Sequence, residues 1–454
     1  MVITDCSYIE NEIEDIVRLF KHRPNEIKHT FRKEGEVFYN AFLVDGERFC
    51  FEDRAQVRDE LLEKRYERRF SKLRLYEILS AKYAEKMPWG ALTGIRPTKL
   101  AYMEREDGRD FTALFNAMHV EEENIRLVAD ILHTQEGVYE KKDGNTDLFV
   151  SLPFCPTKCA YCSFITAPID KTRCFMPAYL DCLDKELQAV KPCVKNLRSI
   201  YIGGGTPFAL GRTELERVLT ALVPYAGGVE YTVEAGRPDV FSEEKLKLIK
   251  DYGVTRICIN PQTFSDETLV KIGRKHTVAD FYNAYEMSDK YGFSVNIDLI
   301  AGLEDERVET FASGVEKATA LGADNITVHC LSLKSGAKLK EEIEYIENDS
   351  ISQMVATSRK ILGGAGYLPY YMYRQKYQAG NNENVGWTKP SRACVYNIDV
   401  MEEVADNLAV GANAISKRVY NNENRIERLA SQKDLRTYID NIDATITKKL
   451  KFFG

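Results

Sequence analysis

The chain has no apolar run approaching the roughly 18 residues that span a bilayer, and its start, Met1-Val-Ile-Thr-Asp-Cys6, lacks the basic-then-apolar order of a signal peptide. Both absences point to a cytoplasmic protein with no membrane span. Long basic blocks are missing too, and 62 basic against 69 acidic residues leave a net charge of −7, which argues against nucleic acid as a partner. Histidine is scarce: only His22, His29, His119, His133, His276 and His329 occur. No internal repeat or low-complexity segment is evident. The eleven cysteines are odd in number and show no pairing pattern, which fits a reducing compartment better than a disulfide framework. At 454 residues the chain exceeds one typical domain, so two or three units are expected.

What is present is concentrated at Cys155, Cys159 and Cys162, in a run that follows the apolar stretch Leu148-Phe-Val-Ser-Leu152. Three thiolates spaced C-x3-C-x2-C can hold three irons of a cubane [4Fe-4S] cluster and leave the fourth iron open, whereas a structural or electron-carrying cluster normally takes four. An open iron can bind a substrate or cosubstrate. Zinc is the other reading of three close cysteines, but zinc sites favour paired C-x2-C knuckles with a second half elsewhere, and this chain has none. The remaining eight cysteines read as small core residues or inert thiols. Cys174, Cys182 and Cys193 lack the close spacing of a second cluster.

Three regions are expected. Residues 1–145 read as a separate α+β domain. In it, Val37 to Leu43 and Arg48 to Glu52 flank the turn pair Asp45-Gly46 as a hairpin, and a charged helix runs from about Gln56 to Lys86. Arg96-Pro97-Thr98-Lys99 reads either as an anion contact or as a helix start at Pro97. Residues 146–333 alternate short apolar strands with amphipathic helices. The strands are Leu148–Leu152, Ser199–Ile202, Glu230–Val233, Arg256–Ile259, Ser294–Ile300 and Ile326–Leu331. Six strands, each followed by a helical segment, predict parallel β/α units with chemistry at the carboxyl ends of the strands. Residues 334–454 form a mainly helical C-terminal region. Helices are expected at Ile351–Leu362 and Lys433–Phe452, an aromatic strand at Tyr367–Lys376, and a helix and turn at Asn397–Asn407 with Gly411 following.

The cysteine loop, with Tyr161 just before its last cysteine, resembles the signature of the radical S-adenosylmethionine (SAM) enzymes. Gly203-Gly-Gly-Thr-Pro207, Glu234-Ala-Gly-Arg-Pro238, Gln262, Arg274 and Asn296-Ile-Asp-Leu-Ile-Ala-Gly302 follow in the order and spacing of the oxygen-independent coproporphyrinogen III oxidase family. Gly380-Asn-Asn-Glu-Asn-Val-Gly-Trp387 and Pro88-Trp-Gly-Ala-Leu-Thr-Gly-Ile-Arg-Pro97 are similar to its HemZ-type coproporphyrinogen dehydrogenase branch. The resemblance implies a partial (β/α)6 barrel open to a large substrate, a [4Fe-4S] cluster on the three cysteines, and SAM chelating the open iron.

The same resemblance implies roles for particular residues. The loop with Gly204, Gly205 and Thr206 would contact the SAM amino group, Glu234 would accept hydrogen bonds from an ammonium or hydroxyl, and Arg274 would pair with the carboxylate. Gln262 would bind a ribose or carboxylate group, Asp298 the ribose hydroxyls, Ser332 the adenine, and Phe149 would lie near the sulfonium. Taken singly, each polar residue reads more readily as an ordinary surface or strand-end group. Three departures stand out: Phe149 replaces a family tyrosine, Ser151 a histidine, and Phe164 a cysteine found in some oxidases.

Ala414-Ile415-Ser416 resembles the oxidase branch, where the haem-chaperone branch has a Gly-Pro-Gly-Ala-His-Ser stretch. Tyr370, Tyr371, Tyr373, Arg374, Lys376, Asn384 and Lys417 are candidates to line a tetrapyrrole site, or an ordinary packed strand. The expected partners are coproporphyrinogen III and a reductant such as flavodoxin or ferredoxin. The implied activity is decarboxylation of coproporphyrinogen III to protoporphyrinogen IX. The rival readings are a haem-trafficking protein and an anaerobic haem-opening methyltransferase.

Overall fold

Asp45 and Gly46 both take positive φ, 48° and 88°, and the chain reverses there as the residue types predict. In the computed structural model, which describes residues 2–94, 96–163, 167–332, 348–375, 382–423 and 425–454, the flanking strands Val37–Val44 and Glu47–Arg54 pair antiparallel. The described residues divide into two units, one of residues 2–129 with Asn382 and one of residues 130–375 and 383–454.

In the first unit, the hairpin belongs to a four-stranded sheet with Val2–Thr4 and Ile27–Glu34. The charged helix spans Glu60–Tyr83. Asp59 caps it by accepting from Leu62 N, and Ala84 ends it in the left-handed region. In the Pro88–Pro97 block, Trp89 is fully buried, and a Cβ at Gly90 would lie 2.1 Å from Met118 O. A helix does start at Pro97 and runs to Glu106.

The second unit is built on one eleven-stranded sheet, whose strands we label β1 to β11 in chain order. They are β1 (Asn145–Leu152), β2 (Asn196–Gly204), β3 (Glu230–Gly236), β4 (Arg256–Ile259), β5 (Ser294–Ala301), β6 (Asn325–Cys330), β7 (Leu368–Tyr373), β8 (Asn384–Thr388), β9 (Asp406–Val410), β10 (Ile415–Tyr420) and β11 (Arg425–Ala430). The sheet order is β7-β8-β6-β5-β4-β3-β2-β1-β9-β10-β11. β1 to β6 are the six expected parallel strands, in register from Leu148 opposite Ile200 to Asp298 opposite Thr327. The helices Met176–Val190, Arg212–Leu222, Glu243–Asp251, Val278–Asp289 and Val308–Ala320 fall between them as their apolar spacing predicts.

The C-terminal stretch corrects one expectation. The helix expected over Asn397–Asn407 is present but ends early: it spans Val395–Glu402, and from Asp406 the chain enters β9, parallel to β1 with Leu408 opposite Leu148. Leu408, Ala409 and Val410 are fully buried, and a continuous apolar run suits a strand covered on both faces. Residues 334–454 keep the helices Asn348–Gly364, Leu435–Asp440 and Ile442–Phe453, but they also add β9 to β11 on one edge of the sheet and β7 and β8 on the other.

A buried ion pair fastens the C-terminal helix. Glu186, on the helix after β1, accepts from Gly411 N at 2.8 Å, from the Tyr438 hydroxyl at 2.6 Å and from Lys449 Nζ, which also donates to Ala409 O. Both charges are fully buried, and burial pushes the Lys449 ammonium down from its ordinary value. Removing one partner strands the other charge. Urea denaturation of Lys449→Ala should therefore show a loss of about 3 to 5 kcal/mol. A loss below about 1 kcal/mol would mean that the pair is not the fastening described.

Candidate active site

Side chains on a strand alternate between faces, so every second residue of β1 to β6 points the same way. Phe149 and Ser151, Tyr201, Thr232 and Glu234, Cys258 and Asn260, Asn296 and Asp298, Thr327 and His329 thereby surround one cavity of about 530 Å³. β7 and β8 extend its wall with Tyr371, Tyr373 and Asn384.

The cysteine loop leaves β1 and is pinned at once to the end of β2. Gly205 N donates to Leu152 O at 2.8 Å and Thr206 N to Phe154 O at 2.7 Å, while Ala160 N donates to Ile272 O at 3.1 Å. Cys155, Cys159 and Cys162 all face the cavity, and the Thr206 hydroxyl lies 3.5 Å from Cys155 Sγ. Burial pushes the Cys155 thiol up to about 11, with Cys162 and Cys159 adding to the rise. A cluster iron binding there must displace its proton. Among the described residues, no three His, Cys, Asp or Glu side chains converge closely enough for a single metal ion. A cluster, whose own iron–sulfur core separates its ligands, asks for a wider arrangement.

Beside the loop, the glycines are required by contact. A Cβ at Gly203 would meet Glu234 Oε2 at 2.8 Å, one at Gly205 would meet Phe154 O at 2.5 Å, and Gly204 sits at φ +103°. Two carboxylates face the cavity in opposite states. Burial, and then Asp298, pushes Glu234 up to about 8. Burial also raises Asp298, but His329 and hydrogen bonds from Asn296 and Thr327 outweigh it and hold that carboxyl below its ordinary value. Asn296 Nδ2 lies 2.8 Å from Asp298 Oδ1, and His329 Nε2 lies 3.7 Å from it. Arg274 donates to Asn260 O at 2.6 Å and to the Tyr161 hydroxyl at 2.9 Å. Gln262 adopts φ 71°, rare for a residue with a side chain, and bridges to β5 through Asp298 O and Ile300 N.

Five buried polar side-chain atoms around the cavity, Thr232 Oγ1, Arg256 Nε, Asn260 Oδ1, Arg274 Nε and Ser332 Oγ, have no hydrogen-bond partner among the described residues. Buried polar groups are normally satisfied, so a ligand carrying ammonium, carboxylate and hydroxyl groups matches what this wall lacks. Soft thiol donors, a close-approach glycine edge and unsatisfied polar atoms together fit a [4Fe-4S] cluster with SAM.

Phe149, Tyr161, Gly204, Gly205, Thr206, Glu234, Gln262, Arg274, Asp298 and Ser332 all line this one cavity with the three cysteines. The tetrapyrrole candidates divide. Tyr371, Tyr373 and Asn384 face the cavity, but Tyr370 is fully buried against Cys394 and Ile398. Arg374 is buried, and its guanidinium is pushed down to about 9 by burial; Lys417 pairs with Glu403 at 3.6 Å on β10. Neither lines the cavity, and Lys376 lies outside the described residues. Ser416, in the segment that resembles the oxidase branch, bonds back to Ala409, and the cavity contact there is Asn413.

Sequence reasoning missed Tyr201, Cys258, Asn260 and His329, although polar residues at every second position of apolar strands were the available signal. It also missed Tyr396. This residue comes from the helix after β8 and stacks on Tyr201 with ring centroids 4.4 Å apart.

A parallel barrel sheet carrying a three-cysteine loop after its first strand and a glycine edge after its second defines a class, and residues 149–315 match the Radical SAM superfamily. Within it, the chain belongs to the family of the oxygen-independent coproporphyrinogen-III oxidase-like protein HemZ of Bacillus subtilis (strain 168). It is 34% identical to that protein over 395 residues, 83% of this chain and 79% of the relative. The heme chaperone HemW of Lactococcus lactis subsp. lactis (strain IL1403) is 38% identical over 190 residues, 41% of this chain and 49% of that one. Among solved structures, the coproporphyrinogen III oxidase HemN of Escherichia coli, a radical SAM enzyme, superposes with a TM-score of 0.54 at 21% identity, over 69% of this chain and 72% of that one. That likeness shows the fold. The cofactors are those of the superfamily, a [4Fe-4S] cluster and SAM. No helix among the described residues is long and apolar enough to cross a membrane.

Overpacking at the glycine edge tests the geometry. Gly205→Ala should lower stability by about 1 to 3 kcal/mol and reduce iron retained after reconstitution, read by thermal unfolding and iron assay. Unchanged melting and iron content would mean that the loop and strand are not in the contact described.

Proposed function

We propose that the protein is a radical SAM oxidoreductase that converts coproporphyrinogen III to protoporphyrinogen IX without oxygen. The observation that carries the proposal is the convergence of the three thiols, the glycine edge, Glu234, Arg274 and Asp298 on one cavity, in a chain of the HemZ-like family. Bound cluster and SAM would supply hydrogen-atom abstraction from a propionate β-carbon. Loss of that hydrogen, of carbon dioxide and of one electron, passed to an external electron acceptor, turns each of two propionates into a vinyl group.

The chain's own part is to bind, orient and exclude water. Gly204, Gly205, Thr206 and Glu234 would receive the amino group of SAM, Arg274 its carboxylate, Asp298 and Gln262 its ribose and Ser332 its adenine. Phe149, Tyr201 and Tyr396 form a stacked aromatic floor, with Phe149 and Tyr396 6.1 Å apart at 16°, that keeps water from the reacting carbon. Tyr371 and Tyr373 offer ring surface where a flat substrate would approach.

Glu234 gives the SAM site a pH dependence with a definite sign. In the free protein its carboxyl is protonated below about 8, and an amino-group donor favours the ionised form. SAM affinity should therefore fall as pH drops below about 8 and level off above it. Calorimetry from pH 6 to 9 should show this slope in the native chain and none in Glu234→Gln. A slope surviving in Glu234→Gln would assign it to another group. At fixed pH, Asp298→Asn or Arg274→Gln should cost about 1.5 to 3 kcal/mol, on the order of 10- to 100-fold in SAM affinity.

Product analysis decides the reaction. The anaerobic enzyme with SAM, a reductant and coproporphyrinogen III should yield the three-propionate intermediate and then protoporphyrinogen IX by mass spectrometry. SAM cleavage without tetrapyrrole decarboxylation, together with stoichiometric hemin binding, would favour haem trafficking instead. Haem consumption with ring opening would favour the methyltransferase reading.

A further inference from the structure

Two buried guanidinium groups flank the cysteine loop. Arg274 faces Cys159 and Tyr161 and belongs to the proposed SAM site. Arg237, at the end of β3, has no part in that site, yet it lines the same cavity with its side chain only 3% exposed. Its Nη1 donates to the Thr157 hydroxyl at 2.5 Å, and Thr157 lies between Cys155 and Cys159. Its other edge is held on Asp239 by a two-point pair, Nε to Oδ1 at 2.9 Å and Nη2 to Oδ2 at 2.6 Å. The Asp239 side chain is 24% exposed, so water reaches the carboxylate while the guanidinium stays in the interior.

His276, also buried here, adds no charge. Burial, and then the Arg274 charge, brings its imidazole down to about 4, against the pull of Asp239. Hydrogen bonding from a carboxylate-anchored fork fixes the loop segment that spaces the first two cysteines.

We propose that Arg237 is a positioning residue for the iron–sulfur cluster, clamping the loop through Thr157 and, with Asp239, setting the cluster's reduction potential. The inference rests on the cluster occupying this loop. Its sign follows from charge: one-electron reduction of the cluster adds a negative charge, which a buried cation stabilises and a nearby carboxylate opposes. Arg237 therefore raises the potential, and Asp239 moderates that rise.

The test is an anaerobic titration of the reconstituted full chain with dithionite, following the reduced cluster by electron paramagnetic resonance, alongside iron and sulfide counted per chain. Arg237→Gln should shift the midpoint to more negative values, and Asp239→Asn should shift it to more positive values. Arg237→Lys, which keeps the charge but loses the fork, should stay near the native midpoint while retaining less iron after gel filtration. A merely structural role would not produce shifts of opposite sign. Shifts of the same sign in Arg237→Gln and Asp239→Asn, or none in either, would overturn the proposal. Should Arg237→Gln fail to fold, the conservative Asp239→Asn decides, since an unmoved or more negative midpoint there overturns it alone. Failure of the native chain to take up a cluster would instead remove the cofactor assignment beneath it, and the iron count separates that case.

Discussion

Two backbone hydrogen bonds, Gly205 N to Leu152 O and Thr206 N to Phe154 O, join the end of β2 to the chain leaving β1, and the placement of the site depends on them. They can form only because the residue between β2 and Thr206 has no Cβ: any side chain at Gly205 would fall within 3 Å of both carbonyls. The join sets where Cys155 emerges relative to the glycine edge, and so relates a cluster ligand to the backbone that would receive SAM. Nothing in the thiols themselves could do this. A loop free of the sheet would carry the same cysteines without a fixed relation to Glu234, Arg274 or Asp298.

The opposite end of the lumen is closed by the segment around the helix Val395–Glu402. Arg256 donates to Arg392 O at 2.9 Å and pairs with Glu230 at 3.2 Å, while Cys394 Sγ lies 3.1 Å from the same carboxylate. Asp399 pairs with Arg198, and burial, followed by the Asp399 charge, pushes the neighbouring Asp147 well above an ordinary carboxylate. Tyr396 then stacks inside on Tyr201. Polar contacts below and rings above exclude water from one end, which strengthens every charge interaction at the other. The raised Glu234 and lowered Asp298 are two results of that dry setting, separated by whether a hydrogen-bonding partner such as His329 is at hand.

The six parallel strands and their helices were legible because each carries a local pattern: apolar runs of strand length, amphipathic helices between them, and glycines at strand ends. Motif spacing named the candidate positions, and the structure brings Glu234 and Asp298, on strands, to one cavity with the cysteines that follow another. What escaped was long-range. β9 reads locally as the tail of a helix, and only the vacant edge of β1 makes Leu408-Ala-Val410 a strand. Arg374 reads as a cation for a propionate, but the strand carries it into the interior. Arg237 sat in a recognised run, Glu234 to Pro238, yet its contact with Thr157 crosses 80 residues of sequence. Tyr396 meets the cavity-lining rings of Phe149 and Tyr201 only through the long-range packing of the helix that follows β8.

The central claim is that three thiols hold a cluster whose open iron meets SAM in this cavity. Electron paramagnetic resonance of the reduced, reconstituted protein, recorded with and without saturating SAM, addresses it directly. Direct ligation predicts a [4Fe-4S] signal whose g values change when SAM is added. Identical spectra in the two samples would contradict it.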